Sequence, residues 1–312
     1  MKQFLNSLKK FVIFSTLLLI LFQAIISFRI KGKTVTGHDN LEQTSNINAD
    51  LVFIGSSRCW AHFDPKFFDS VYKLKSVNIG VDGHSEISMA IIRFKDYLSR
   101  NNAPQFLIYS FDPFINAGSI TENTNFVHKN NFARYAFFPY KKDMSILNYF
   151  KFDFNEKYIP MYAIFKYKLL TDAIFLNNVD NSVQKGYEFH DEKWDTISNP
   201  INNKAKRFFF KKSDITSIKK SLGLLKNLCL ENNIKLLCIQ TPVYKTIQVD
   251  STFLETKIIC SSLNIPFIDA NKEFIRNDMK FFYNSNHLNN LGVLELNWIL
   301  KSDSLFNLFL QK

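Results

Sequence analysis

Leu51-Val52-Phe53-Ile54-Gly55-Ser56-Ser57-Arg58 decides the reading of this chain. An unbroken apolar run of this length reads as a strand buried on both faces, and the Gly-Ser-Ser that follows is a turn of small residues where the backbone can bend tightly. The same rhythm recurs downstream. Residues 76–81 and 105–111 are two more apolar strands, with helical spacing over 86–100 between them. A helix over 215–233 leads into a strand over 235–240 that ends at Thr241-Pro242. A helix over 253–263, a short strand over 266–269 and a last helix over 288–302 complete the pattern. Strands that are apolar throughout and separated by helices predict an α/β fold, a parallel sheet with helices on both faces in three layers. Sites in such sheets lie at the carboxyl ends of the strands.

The chain of 312 residues is long enough for one large α/β domain or two small ones, and its 46% hydrophobic and 21% charged content is that of a folded protein. Its 33 Phe and 12 Tyr give more aromatic surface than a minimal core needs. The formal charge of +11 suits an anionic partner. The lysines are scattered in pairs such as Lys141-Lys142, Lys211-Lys212 and Lys219-Lys220, with no dense basic stripe, which argues against nucleic acid and for a membrane surface.

Phe11 to Phe28 is a nearly uninterrupted apolar run in which Gln23 is the one strongly polar residue. Its 18 residues span about 27 Å as a helix, enough for a hydrocarbon core. The run is longer than the apolar part of a secretory signal, and Ser27-Phe28-Arg29 is a poor cleavage site, so an uncleaved anchor contacting membrane lipid is the expectation. A short tail ahead of a first span stays inside, which places the rest of the chain outside the cytoplasmic membrane as a single-pass protein. Residues 1–30 thus read as the anchor, 31–50 as a polar linker, and 51–312 as the α/β domain. An aromatic insertion over about 119–212 includes Asn131 to Tyr140, and it breaks the strand-helix rhythm. It reads as a cap, with two uses open: a lid or acceptor groove, or a surface resting on membrane or on a partner protein.

Ser57 stands where a strand-to-helix turn exposes a hydroxyl, and a hydroxyl becomes a nucleophile when an imidazole takes its proton. His287, in Asn284-Ser285-Asn286-His287-Leu288-Asn289, lies just ahead of the final helix and can fold back over the same edge of the sheet. Asn78-Ile79-Gly80 ends the second strand, where a glycine amide can serve as a donor to a developing oxyanion. Arg58, Asn78, Asp112, Gln240, Thr241 and Asp269 fall at strand ends and are candidates to line the site. His62, His84 and Asn116 are also near it; for His62 and His84 a polar cap or solvent-facing role is the expectation. His190-Asp191-Glu192 reads as a solvated loop. Cys59, Cys229, Cys238 and Cys260 have no metal-ligand spacing and read as buried free thiols. With 9 Gly and no G-x-G-x-x-G run, no phosphate loop is expected, and neither a cofactor nor a metal is.

Gly55-Ser56-Ser57, Asn78-Ile79-Gly80 and Asn284 to Gly292 resemble the first, second and fifth blocks of the SGNH (GDSL-like) hydrolase superfamily. Within it the resemblance is to the membrane-anchored branch that includes the D-alanyl transfer protein of teichoic acid synthesis and the alginate O-acetylation proteins. It covers roughly 51–111 and 215–300. The resemblance implies Ser57 as nucleophile, the Ser57 and Gly80 amides as oxyanion donors, and His287 as general base. The acid position three before the histidine is Asn284 here, and the G-x-N-D turn after the third strand is absent, with Phe111-Asp112-Pro113-Phe114 in its place. Asp112 and Asp269 are the substitute acids to test first, with an ordinary strand-end or turn role the expectation for each. The resemblance implies an esterase or O-acyltransferase working on a cell-envelope glycan or an acyl donor. The missing elements leave a second reading, a binding or assembly protein that docks on an integral-membrane acyltransferase.

Overall fold

In the sheet formed by the apolar strands, alternate side chains point to opposite faces, and both faces are covered. The computed structural model describes residues 1–30, 46–81, 85–114, 151–167, 183–197 and 206–311, with single residues 44, 83, 129, 170 and 200. Most of the expected linker, His84, Asn116 and the aromatic segment 131–140 lie outside the described residues. The chain groups into two compact units, one of Met1–Gln43 with Ile120–Asp180, the other of Thr44–Ser119 with Asn181–Lys312.

The second unit holds the sheet: β1 (Leu51–Ile54), β2 (Ser76–Asn78), β3 (Phe106–Phe111), β4 (Lys235–Gln240) and β5 (Phe267–Asp269), in spatial order β2-β1-β3-β4-β5. Every pairing in it is parallel. This is the doubly wound order whose direction reverses between β1 and β3, the place where such sheets carry their sites. Helices α2 (Ser57–His62), α3 (Pro65–Tyr72) and α4 (Ile87–Leu98) follow the first strands, α7 (Lys212–Glu231) and α8 (Asp250–Ser262) flank β4, and α9 (Glu273–Arg276), α10 (Asn290–Ser302) and α11 (Ser304–Phe309) close the unit.

Leu51 and Phe53, Phe106 and Ile108, Leu237 and Ile239 face one layer, where they meet Phe63, Phe68, Leu296, Leu300 and Phe306. Val52 and Ile54, Leu107 and Tyr109, Leu236 and Cys238 face the other, against Phe94, Tyr97, Leu222, Leu225 and Cys260. All four cysteines are free and buried.

Strand β2 is shorter than expected, spanning 76–78, although the Ile79 and Val81 amides still donate to the Phe53 and Gly55 carbonyls (2.9 Å each), and the helix expected over 288–302 begins at Asn290, capped by the Asn289 side chain on the Gly292 amide (3.2 Å). Residues 46–50, expected in the linker, pack on the α/β body: the Ala49 amide donates to the Tyr97 hydroxyl at 2.9 Å. Part of the expected cap belongs to this unit as well. A two-stranded turn of Val183–Gln184 and Tyr187–Glu188 is held to the end of β2 by the Asn78 amide, which donates to the Lys185 carbonyl at 2.9 Å.

The first unit contains α1 (Lys2–Ile30) and a helix pair, α5 (Phe154–Tyr158) and α6 (Tyr162–Lys166). Over Lys2–Ser27, α1 is long and apolar enough to cross a membrane.

Candidate active site

At the end of β1 the chain turns straight into α2. Gly55 takes φ of +154°, and a Cβ there would lie 2.9 Å from Cβ of Cys59 and from the Ser110 carbonyl, so a larger residue could not make this turn unstrained. Ser56 is the N-cap: its hydroxyl accepts from the Arg58 amide at 3.3 Å and donates to Oδ2 of Asp112 at 2.6 Å. Capping fixes the first turn of the helix to the end of β3. Ser57 is therefore the first helical residue, and its amide, a first-turn donor, meets no hydrogen-bond partner among the described residues.

His287 comes to Ser57 from 230 residues away, with Nε2 at 2.8 Å from the serine hydroxyl. Its Nδ1 is 3.0 Å from Oδ1 of Asn284. That same oxygen accepts the backbone amides of Asn286 (2.9 Å) and His287 (3.0 Å). An atom receiving two backbone N–H groups is the carbonyl oxygen of the amide, so the imidazole donates to it from Nδ1 and presents the lone pair of Nε2 to Ser57. Asn284 thereby sets the tautomer that a general base needs, without supplying a negative charge.

The layer beneath is polar and buried. His62, at the far end of α2, accepts the Leu288 amide on Nε2 (3.0 Å) and donates from Nδ1 to Oγ1 of Thr241 (2.8 Å). The same Thr241 oxygen accepts from Nη2 of Arg58 at 2.9 Å, and the Thr241 carbonyl accepts from it at 2.5 Å. Burial and the positive charge of Arg58 push His62 well below the ordinary imidazole pKa, so it stays neutral with its proton on Nδ1. Burial also lowers Arg58 to about 10, opposed by the charge of Asp112, and its guanidinium lies 5.7 Å from the centre of the Phe114 ring. One short helix thus carries Ser57 at its start and, at its end, the anchor for the loop of His287.

Aromatic rings flank the imidazole. Tyr283 stacks on His287 with centroids 5.4 Å apart and planes 11° apart, and Trp60 lies at 6.2 Å and 21°. His190 stacks on Tyr283 at 4.1 Å, with Nδ1 3.1 Å from Glu192. Ring faces are negative, so this wall favours the imidazolium that forms when Ser57 gives up its proton.

The expected lining residues are placed differently. Arg58, Asn78, Asp112, Gln240 and Thr241 are all buried, and Asn78, Asp112 and Thr241 hold α2 or its N-cap by hydrogen bonds. Asn78 braces the helix: its amide nitrogen donates to the carbonyls of Cys59 (2.8 Å) and Phe63 (3.0 Å), and its oxygen accepts the Gly80 amide at 3.0 Å. The Gly80 amide, expected to face an oxyanion, is thus already engaged. Gly80 instead admits α2: a Cβ there would be 2.9 Å from the Ser56 carbonyl and the Trp60 amide. Neither substitute acid meets the imidazole in a hydrogen bond. Asp112 holds Ser56 and the Phe114 amide (2.9 Å), and the exposed Asp269 accepts the Asn271 amide (2.9 Å) in an ordinary turn. His62, expected as a polar cap or at the surface, is fully buried, and His190, expected in a solvated loop, is part of the aromatic wall. Sequence reasoning passed over Trp60 and Tyr283, whose signal was their spacing: three residues after Ser57 on one helix, and four before His287.

Among the described residues, no group of three His, Cys, Asp or Glu side chains is placed to hold a metal ion. No family model matches the chain, and no curated protein does. Solved structures similar to it include two from Bacteroides. One is a protein of Bacteroides fragilis assigned as an acylhydrolase, 11% identical, with 90% of this chain and 98% of that one covered and a TM-score of 0.43. The other is a GDSL-like lipase of Bacteroides thetaiotaomicron, 10% identical, with 83% and 87% covered and a TM-score of 0.36. At those scores neither likeness bears on the chemistry of this chain, which rests on its own geometry.

Proposed function

We propose that this chain is a membrane-anchored SGNH-like serine esterase or O-acyltransferase that modifies extracytoplasmic cell-envelope glycans. The observation that carries the reading is the relay Ser57 Oγ, His287 Nε2, His287 Nδ1, Asn284 Oδ1, with contacts of 2.8 and 3.0 Å. In the first half-reaction Ser57 Oγ attacks the acyl carbonyl carbon while its proton passes to Nε2 of His287. The charge that builds on the carbonyl oxygen faces the Ser57 amide at the start of α2. The C–O bond of the donor ester then breaks, its oxygen takes the proton back from His287, and the acyl group stays on Ser57. In the second half a water or a sugar hydroxyl attacks the acyl-serine, His287 takes that proton and returns it to Ser57, and an acid or a new sugar ester leaves.

The apolar length of α1 supports the anchor, and the aromatic surroundings of His287 suit a ring-shaped acceptor. In membranes holding the full chain, transfer of acetyl from 4-nitrophenyl acetate to a polysaccharide is the expected activity, and it vanishes in Ser57→Ala. Equal transfer by Ser57→Ala would reject the reading.

A second reading has two observations of its own. The uncharged Asn284 and the engaged Gly80 amide fit a site that has lost its catalysis and serves as a binding or assembly protein for polysaccharide modification, docking on an integral-membrane acyltransferase. Full complementation of a deletion strain by Ser57→Ala, with no acetyl transfer by the wild-type protein, would favour it.

A further inference from the structure

We infer that the helix pair α5–α6 is a second membrane-embedded element, a short hairpin sunk among the lipids that surround the carboxyl-terminal end of α1. The inference rests on the anchor reading of α1 and adds a lipid-facing surface to it.

Gln23 fixes the depth. It is the one strongly polar residue of the run Phe11 to Phe28, and it lies five residues, about 7.5 Å along the helix, inside the end of that run. Within hydrocarbon a polar group needs a partner in the protein. The side-chain carbonyl of Gln23 has one: Oε1 accepts the backbone amide of Met161 at 2.7 Å, and both residues are buried, while Gln23 Nε2 meets no hydrogen-bond partner among the described residues. Met161 sits at the tip between α5 and α6 with φ of +66°. Gln23, Ile26 and Ser27, spaced i, i+3, i+4, are the buried stripe of α1 at this level, while Leu21, Phe22 and Ile25 around it are exposed. The tip therefore lies at a depth where the rest of α1 is surrounded by lipid.

The hairpin is built for that place. Phe154, Tyr158, Ile159, Tyr162 and Phe165 are between 37 and 71% exposed, an apolar surface on only two turns of helix at either side of Pro160. A patch exposed to this extent marks an interaction surface. The one buried charge is neutralised internally: Glu156 accepts the Tyr167 hydroxyl at 2.5 Å and Lys166 Nζ at 2.6 Å, with Lys129 at 3.6 Å, and it closes a capping box with Asp153. Lys166, paired with Glu156, also lies over the rings of Tyr162 and Tyr167 at 5.9 and 5.6 Å, so its charge is held inside the hairpin by the carboxylate and by the ring faces. Aromatic residues with lysines beside them, buried about 5–10 Å deep, are the mark of elements that lie in a membrane interface.

The test uses the full chain carrying one added cysteine. The native thiols are buried, so Phe165→Cys or Tyr158→Cys takes an environment-sensitive fluorophore selectively. Each labelled protein is reconstituted into phosphatidylcholine–phosphatidylglycerol vesicles holding a lipid nitroxide either near the headgroup or at mid-chain, with Leu17→Cys in α1 as the marker of the span. Both hairpin labels are expected to be quenched at least about twofold more by the shallow nitroxide than by the deep one, the reverse of Leu17. Adding Gln23→Leu, which leaves the Met161 amide unpaired, is expected to reduce that quenching. Hairpin labels that emit like the free dye in buffer, with Leu17 quenched, would overturn the hairpin inference and leave the anchor standing. An unquenched Leu17 would overturn both. A blue-shifted hairpin label untouched by either nitroxide would mean that protein covers the surface, and would overturn the inference as well.

Discussion

Asn284 shows why a residue's hydrogen bonds matter more than its type. In a serine protease, replacing the triad aspartate by asparagine costs about 10⁴ in turnover because the amide presents the wrong group and the imidazole takes the wrong tautomer. Here two backbone amides pin the Asn284 oxygen toward Nδ1 of His287, so the tautomer is right and only the charge is missing. Asn284→Asp keeps the shape and adds the charge. It is expected to raise kcat for a 4-nitrophenyl ester about 10- to 100-fold with KM little changed. No gain would mean that the imidazolium is already stabilised by Tyr283 and Trp60. His62 is a positioning residue, since its Nε2 holds the Leu288 amide beside His287. His62→Phe strands that buried amide and should cost about 1–3 kcal/mol in urea melts as well as turnover, whereas His62→Gln retains an acceptor and recovers much of both. Because burial holds the folded-state pKa of His62 below its unfolded value of 6.5, its neutral form supports the fold fully above that pH. The support is lost as pH falls below 6.5 toward the folded value, at a slope of up to about 1.4 kcal/mol per pH unit. The wild type should therefore lose stability more steeply on acidification than His62→Gln, and parallel curves would refute the assignment.

At the scale of elements, α2 does most of the positioning in six residues. Its start presents Ser57, its buried side holds Arg58 and Cys59, and its end places His62 under the loop of His287. Gly80 lets this helix approach the end of β2, and Gly80→Ala puts a methyl group against backbone atoms of Ser56 and Trp60 that cannot move aside. The expected outcome is a loss of about 1–3 kcal/mol in the urea midpoint and a larger proportional loss of activity, because α2 shifts relative to His287. A variant of full activity would show that the helix position is not critical. The sheet was legible because strands buried on both faces are apolar, as β1 and the middles of β3 and β4 are, whereas the short β2 and β5 carry the mark only at Val77 and at Phe267-Ile268. Ser57 and His287 were nameable because a strand-to-helix turn and a histidine ahead of the last helix announce them, and Asn284 through the resemblance to the SGNH pattern. The layer beneath was not. Asn78, Thr241 and Asp112 stand at strand ends, where a polar side chain has the same sequence signature whether it faces a substrate or caps the neighbouring helix. His62 was misread for a related reason: nothing local distinguishes an imidazole at the surface from one whose two nitrogens are both satisfied inside.

Across the whole molecule, one unit is organised around α1 and the other around the sheet. If α1 is an uncleaved anchor, protein made in cells keeps its residues from Met1 onward in intact-mass measurement and resists extraction from membranes at alkaline pH. Release into the soluble fraction as a shortened chain would identify α1 as a removed signal. The central claim is also one of the whole fold, that Ser57 and His287, 230 positions apart, are one chemical unit. A fluorophosphonate probe applied to the folded full-length protein tests it most directly, with the adduct located by peptide mass. The account predicts a single adduct on Ser57, absent in Ser57→Ala and formed at least about 100-fold more slowly in His287→Ala. A folded protein that forms no adduct at Ser57, or forms it equally fast without His287, would contradict it.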